Sequence, residues 1–505
     1  MAQIIASVFA TSREQVAHAA RNAAMAGADW LELRLDRWPA GHDLAAAIGS
    51  SRLPVLVACR TPEDGGHFRG TLGERRELLS AALDGGAEGL DLDAADPWAP
   101  PAGRTRLRLR IRSFHSFTGV PRELPAIHAR LHASAGTVAK LVVTAHDLAD
   151  AAPVLELLTH CDQRRQPTVA FAMGRTAWPV RVIAAMLGAP FVYGCLEPGQ
   201  ETAPGQVPVA WLRQLYRVHE LGEATQLFGV LGNPALSSLG PWLHNRVFRR
   251  LGFDGVYLPF ETSRPEAALA MLLPCRLRGL SVTAPYKAVV AAACHQLAQD
   301  AAATSVVNTV VVEPHGHLAG HNTDVEGVVT ALAGAGVGNG AGRAGVVLGT
   351  GGAARAGALA LQRLGFAVTM LGRSLDAVRD FARSAAVQLG SLTATVLQDL
   401  QPAVLLQATP VGGLGRDPEE RLVPDYRVPA GCVVLDMVYQ PPWTRFLREA
   451  REAGGVAVPG AAMFLGQARA QVRHFTGHTV DAPLLRSCLA GTAAAVVDGN
   501  AASSR

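Results

Sequence analysis

The sequence predicts an α/β protein in two parts, an N-terminal (β/α)8 barrel over residues 1–218 followed by an open, two-domain α/β half that begins near residue 226. Three observations predict it. Short apolar runs, each followed by room for a helix, recur through the first part at a mean spacing of roughly 25 residues, the short end of the barrel size range. From Leu227 onward the pattern changes to strand–loop–helix units. A glycine turn then separates an apolar run from an Ala-rich helix near residue 350, which is how a dinucleotide-binding unit opens. The 505-residue length suits three folding units at roughly 100–200 residues each.

The barrel strands are read at Ile4–Ala10, Trp30–Leu35, Pro54–Cys59, Gly89–Asp93, Leu107–Ile111, Val138–Val143, Thr168–Ala172 and Phe191–Cys195. A barrel builds its site from the carboxyl ends of its strands, and the ionisable residues fall there. Glu32, Arg34 and Asp36 alternate with leucines, so a period of two puts them on one strand face. Taken alone, they fit a solvated face equally well. Arg60 ends the third run, Asp93 the fourth, and His115 follows the fifth, at one level of the inferred barrel. His18, His128, His132 and His146 read as ordinary surface or core histidines. Lys140 interrupts an apolar run. Desolvation disfavours an ammonium, and a neutral amine is what attacks a ketone to form an imine, while a lysine at a strand edge reaching for water is the other reading.

ELRLD (Glu32 to Asp36), Arg60 with Gly65–Gly66 after it, SFHSF around His115, TVAKLV around Lys140, AMGRTAWPVR ending at Arg181 and TAPGQ (Thr202 to Gln206) resemble type I 3-dehydroquinate dehydratase in order and spacing. The resemblance implies that Lys140 forms an imine with the substrate ketone and that His115 removes the adjacent proton and returns it to the departing hydroxyl. It also implies that Arg181, Thr202 and Gln206 hold the substrate, with Glu32, Arg34 and Arg60 completing the polar wall. The sequence departs from that family at Asp64 and Asp93, where glutamates are usual, and at Thr202, where serine is.

Residues 213–226 join the halves. In the second, Ala333 to Gly345 reads as a loop leading into a strand, and the turn after it offers Gly349, Gly351 and Ala354 in a G-x-G-x-x-A arrangement, with Gly352 and Ala353 between. Missing side chains let backbone N–H groups and the helix N-terminus approach a pyrophosphate. Where an NAD site usually has an acid, this chain has Gly372–Arg373–Ser374, so the expected cofactor is NADP, with Arg373 on the 2′-phosphate.

GNPALSSLGPWLHN, GLSVTAPYK, VVNT, HNTDVEG, ATPVGG, LDMVYQPPWT and PGAAMFLGQA, spread over residues 227–480, resemble shikimate dehydrogenase. That resemblance implies a catalytic pair of Lys287 and Asp324, substrate contacts from Ser238, Thr283, Asn308 and Gln467, and cofactor contacts from Ser374 and Thr409. Its domains would be a substrate domain at 226–330 completed by 461–490, and a Rossmann domain at 331–460. Ser237 and Gly240 depart from the family's S-x-S-P surroundings, and Gly372 and Gln407 each replace an asparagine. Losing a hydroxyl at Gly240 bears on discrimination against quinate-like acids.

Composition narrows the remaining possibilities. A net charge of +4 with no long basic tract argues against nucleic acid. No run reaches the ~20 apolar residues of a membrane span, and the first residues lack the basic start of a signal peptide. Seven scattered cysteines without a C-x-x-C pair argue against disulfides and zinc and for a reducing cytoplasm. Residues 491–505 read as a loose tail. The combined expectation is dehydration of 3-dehydroquinate followed by NADPH-dependent reduction to shikimate. Three other readings stay open: a single-activity quinate or shikimate dehydrogenase with a weakened barrel, a non-catalytic NADP- or metabolite-binding regulator, and a class I aldolase sharing the imine lysine.

Overall fold

The computed structural model describes residues 1–100, 107–132 and 137–491. The expected tail beyond Gly491, and Arg104 to Arg106 of the arginine-rich run, lie outside these. The chain divides into two compact units, with the cut between Leu277 and Arg278.

In the first unit eight strands form one parallel sheet: β1 (Gln3–Phe9), β2 (Trp30–Arg34), β3 (Val55–Ala58), β4 (Gly89–Asp93), β5 (Leu109–His115), β6 (Val138–Thr144), β7 (Thr168–Met173) and β8 (Phe191–Gly194). They run in the order β7-β6-β5-β4-β3-β2-β1-β8, a nearly closed barrel. Strand β2 is buried at every residue, as a strand between barrel interior and helix layer must be. Two local expectations change. Strand β2 stops at Arg34, and Asp36 sits in the single helical turn Leu35–Arg37 rather than on the strand face. Strand β5 begins at Leu109 and continues through His115, because Ser113, Phe114 and His115 pair with Lys140, Leu141 and Val142 of β6. His115 therefore ends a strand instead of following one.

After the barrel, β9 (Gln226–Gly232) and β10 (Gly255–Glu261) pair in parallel, separated by the helix Gly240–Leu251. The segment after β10 is tied to the barrel loop after β6. Asp147 accepts hydrogen bonds from Thr262 Oγ1 at 2.6 Å and from the Ser263 amide and hydroxyl at 2.6 and 2.8 Å, and Arg264 pairs with Asp150 at 2.5 Å. Arg175 of the barrel also pairs with the buried Glu261.

The second unit holds β11 (Leu277–Val282) from its second residue on, with β12 (Gln296–Leu297), β13 (Thr309–Val312) and β14 (Leu318–His321). Strand β13 lies antiparallel between β11 and β14, and β12 pairs in parallel with β14. A parallel sheet follows from β15 (Ala344–Leu348), β16 (Ala367–Gly372), β17 (Gln388–Ser391), β18 (Val404–Gln407), β19 (Val433–Asp436) and β20 (Val456–Val458), in the order β17-β16-β15-β18-β19-β20. The chain passes from one side of β15 to the other between β17 and β18, and ligands of such sheets bind at the carboxyl edge beside that switch point. The helix Gly352–Arg363 leaves β15 there and buries Ala354, Ala356, Gly357, Ala358 and Ala360. Small residues bring the helix close to the sheet: a Cβ on Gly357 would stand 2.9 Å from Met437 Cε and 3.0 Å from Leu406 Cδ1.

Two candidate active sites

At the carboxyl end of the barrel, parallel register aligns side chains from successive strands: Ser7 opposes Glu32, and Ser113 opposes Lys140. Lys140 is buried but not isolated. Its Nζ lies 2.9 Å from Asp91 Oδ2 and 3.8 Å from Glu32 Oε1, and 4.0 Å from the centre of the Tyr193 ring. Arg60 spans the floor, donating from Nη2 to Asp91 at 2.7 Å and from Nη1 to Ser113 Oγ at 3.1 Å, with Nη1 also 3.3 Å from His115 Nδ1. Desolvation, then the positive charges of Arg60, Lys140 and Arg34, holds His115 well below the usual histidine pKa, so the ring is neutral at pH 7. A neutral imidazole near a lysine is the equipment for moving a proton.

The opposite wall is a hydrogen-bonded chain. Ser7 Oγ donates to Glu32 and meets Thr202 Oγ1 at 2.6 Å, and Gln206 Nε2 donates to that oxygen at 3.1 Å. Arg34 is turned to Asp36, at 2.8 and 3.1 Å. Arg181 is 1% exposed, stacks 3.9 Å over Phe171 and gives Nη2 to the Pro204 carbonyl, while Nε and Nη1 have no partner. Desolvation brings its pKa down to about 9. A buried guanidinium with uncommitted N–H groups is a receptor for an anion, because leaving it unpaired is costly. Asp93 is pushed up to about 6 by desolvation, with Asp64 adding to the rise and the Ala95 amide and Arg60 opposing it.

Sequence reasoning missed Asp91, Ser7, Ser113 and Tyr193. The alternation in GLDLD carried a signal for Asp91, which shares a strand face with Asp93. Serines and a tyrosine inside apolar strands carry none.

A second cluster lies in the second unit. Lys287 opens the helix Lys287–Ala293, Asp324 opens the helix Asp324–Gly334, and Lys287 Nζ meets Asp324 Oδ2 at 2.5 Å. Asn308 Nδ2 donates to Asp324 Oδ1 at 2.8 Å and to Gln467 Oε1 at 3.2 Å, so one amide ties these residues together. Thr283, half-buried, stands on the turn just before Lys287 and accepts the Tyr286 amide through its carbonyl. Ser238 belongs to the first unit, where its hydroxyl accepts the Gly240 amide at 3.0 Å at the start of the helix Gly240–Leu251.

The glycine turn reaches this cluster. A Cβ on Gly352 would stand 3.3 Å from Lys287 Cδ, and one on Gly349, at φ +123°, would stand 3.0 Å from the Ala408 carbonyl oxygen and 3.3 Å from Thr409 Cγ2. Gly351 caps the helix Gly352–Arg363 and has open space where a side chain would be. That leaves backbone amides free to face a pyrophosphate beside the lysine–aspartate pair. Arg373, exposed, and Ser374 follow directly on β16. The Thr409 amide donates to Gln407 Oε1 at 2.5 Å, so Gln407 holds the loop that carries Thr409.

Known proteins resemble both halves. A family model described as type I 3-dehydroquinase matches residues 4–223, and one described as shikimate dehydrogenase substrate binding domain matches residues 230–310. A chloroplastic bifunctional 3-dehydroquinate dehydratase/shikimate dehydrogenase of Arabidopsis thaliana is 29% identical over 94% of this chain and 82% of its own length. Shikimate dehydrogenase (NADP(+)) of Rubrobacter xylanophilus is 37% identical over 53% of this chain and 96% of its own length. The enzyme of the same name from Methanopyrus kandleri is 33% identical over 52% and 95%.

Proposed function

Because this chain belongs to the shikimate dehydrogenase family and carries a type I 3-dehydroquinase domain ahead of that part, we propose that it dehydrates 3-dehydroquinate through an imine on Lys140 and reduces the product to shikimate with NADPH. The single observation that carries the reading is that each half holds a buried or half-buried lysine beside carboxylates at the end of its sheet where ligands bind.

In the barrel, Asp91 holds Lys140 Nζ at 2.9 Å, and the neutral His115 imidazole is the base that takes the proton Lys140 sheds before attack. The imine draws electrons from the adjacent carbon, His115 takes the proton there, and the same histidine returns it to the departing hydroxyl. Arg181 receives the substrate carboxylate; Glu32, Arg34, Arg60, Thr202 and Gln206 form the polar wall.

In the second half, the bound cofactor supplies a hydride. Lys287, held by Asp324, supplies the proton to the developing alkoxide, and Asn308 and Gln467 position the ring, with Thr283 and Ser238 as further substrate contacts. Gly349, Gly351, Gly352, Ala353 and Ala354 receive the pyrophosphate, Arg373 and Ser374 the 2′-phosphate, and Thr409 lines the turn. The domain spans that go with this reading are 1–218, 226–330 with 461–490, and 331–460. A cytoplasmic location rests on the seven scattered cysteines; no described helix is long and apolar enough to cross a membrane.

Borohydride tests the imine. Added during turnover of dehydroquinate, it is expected to fix substrate mass on the peptide containing Lys140 and nowhere else. An unmodified Lys140 peptide in an enzyme that turns over contradicts the imine.

A further inference from the structure

Tyr193 stands on β8 inside the barrel site, 2% exposed, and its hydroxyl has no hydrogen-bond partner. A buried hydroxyl left unpaired is destabilising, so its presence here asks for a partner that arrives with a ligand. Three other donors near Lys140 are engaged. Arg60 holds Asp91 and Ser113, Arg34 holds Asp36, and Ser7 holds Glu32. Arg181 has free N–H groups too, but it is a fixed charge stacked on Phe171. Tyr193 brings an uncommitted neutral donor to this wall.

Its ring lies directly beneath the lysine, with Nζ 4.0 Å from the ring centre. The phenol oxygen is carried on the rim of that ring, on the lysine's side of the site. Burial, with Glu32 and Asp91 nearby, pushes the phenol pKa well above its usual value, so the group donates and does not ionise.

We propose that Tyr193 is a further catalytic residue of the dehydratase half, whose hydroxyl donates a hydrogen bond to the substrate oxygen on the carbon that Lys140 attacks. The inference rests on the imine reading given above. As the C–N bond forms, the carbonyl π pair moves onto that oxygen, and the phenol stabilises the growing negative charge without giving up its proton. Both protons of the departing water originate on Nζ, and the nitrogen lone pair closes the imine. Tyr193 thus acts on imine formation by stabilising charge on that oxygen, while His115 moves the protons of imine formation and the carbon-bound proton.

Tyr193→Phe removes the oxygen and keeps the ring, its packing and the lysine contact. In the full chain, kcat for dehydration and the rate of borohydride trapping on Lys140 are expected to fall together by roughly 10- to 100-fold, with KM changed less than about threefold. Reduction of dehydroshikimate in the same preparation is expected to stay at the wild-type rate, and the circular dichroism of the full chain to match wild type, which together report that both halves are folded. A purely structural hydroxyl predicts a change in Tm with kcat and trapping intact, and that result overturns the inference while leaving the imine in place. Wild-type enzyme that turns over with no adduct on Lys140 overturns both.

Discussion

His115 carries the pH behaviour of the barrel site. Its pKa is depressed by desolvation and then by Arg60, Lys140 and Arg34, so the neutral base form persists until the pH falls well below 6.5. The pH profile of dehydration should therefore stay flat through neutrality, with the His115 limb on the acid side. A further ionisation near 6 is expected from Asp93 and should vanish in Asp93→Asn. An acid limb at or above 6.5 that survives Asp93→Asn contradicts the depressed histidine. At the other site, Arg373→Ala is expected to raise KM for NADPH roughly tenfold while NADH, lacking the 2′-phosphate, changes little. Equal losses with both cofactors would take Arg373 off the phosphate. Charged residues at the ends of strands were legible in the sequence because alternation assigns their face, and Lys140 stood out against its apolar neighbours. Their partners were not: that Arg34 turns to Asp36, and that Arg60 joins Asp91 to His115, depends on side-chain directions set by chain segments far apart in sequence.

Elements hold these residues in place through close backbone contacts. Gly66 follows the turn after Arg60, and a Cβ there would lie 2.1 Å from the Arg60 carbonyl oxygen. Gly66→Ala must move that backbone and with it the guanidinium against Asp91 and His115. The variant is expected to lose more than about tenfold in dehydratase kcat/KM, with dehydrogenase activity kept; an unaffected dehydratase contradicts this placement. Asp147 does the corresponding work between the barrel and the strand pair that follows it. Desolvation raises its pKa, but hydrogen bonds from the Ser263 amide, Thr262, the Ala149 amide and the Ser263 hydroxyl outweigh it and bring the value to about 2. The folded pKa is below the unfolded one, so the stabilisation, about 2 kcal/mol, is present above pH 4 and lost as pH falls towards 2. Urea titrations should find Asp147→Asn less stable by that order at pH 7, with the gap to wild type closing below pH 4; a constant gap contradicts the assignment. Periodic apolar runs made most barrel strands readable, and β4 is bounded as the sequence suggests. The ends of β2 and β5 were not readable, because pairing with β6 extends β5 through His115 whereas the chain leaves β2 into a helical turn.

For the whole molecule, the sequence already held two independent patterns, eight barrel runs and a glycine turn before an Ala-rich helix, because each fold repeats a short local signal. What no local signal carries is how segments far apart meet, such as Asp147 with Thr262 or Asn308 with Gln467. The central claim is that one chain runs two consecutive reactions on two different lysines. Dehydroquinate and NADPH mixed with the full chain test it most directly, with NADPH absorbance followed for wild type, Lys140→Ala and Lys287→Ala. Wild type should consume NADPH and both variants should stop. Lys140→Ala should regain full consumption when dehydroshikimate is supplied, and Lys287→Ala should accumulate dehydroshikimate. Oxidation of NADPH from dehydroquinate by Lys140→Ala at the wild-type rate, or a wild type that responds to dehydroshikimate alone, would contradict it.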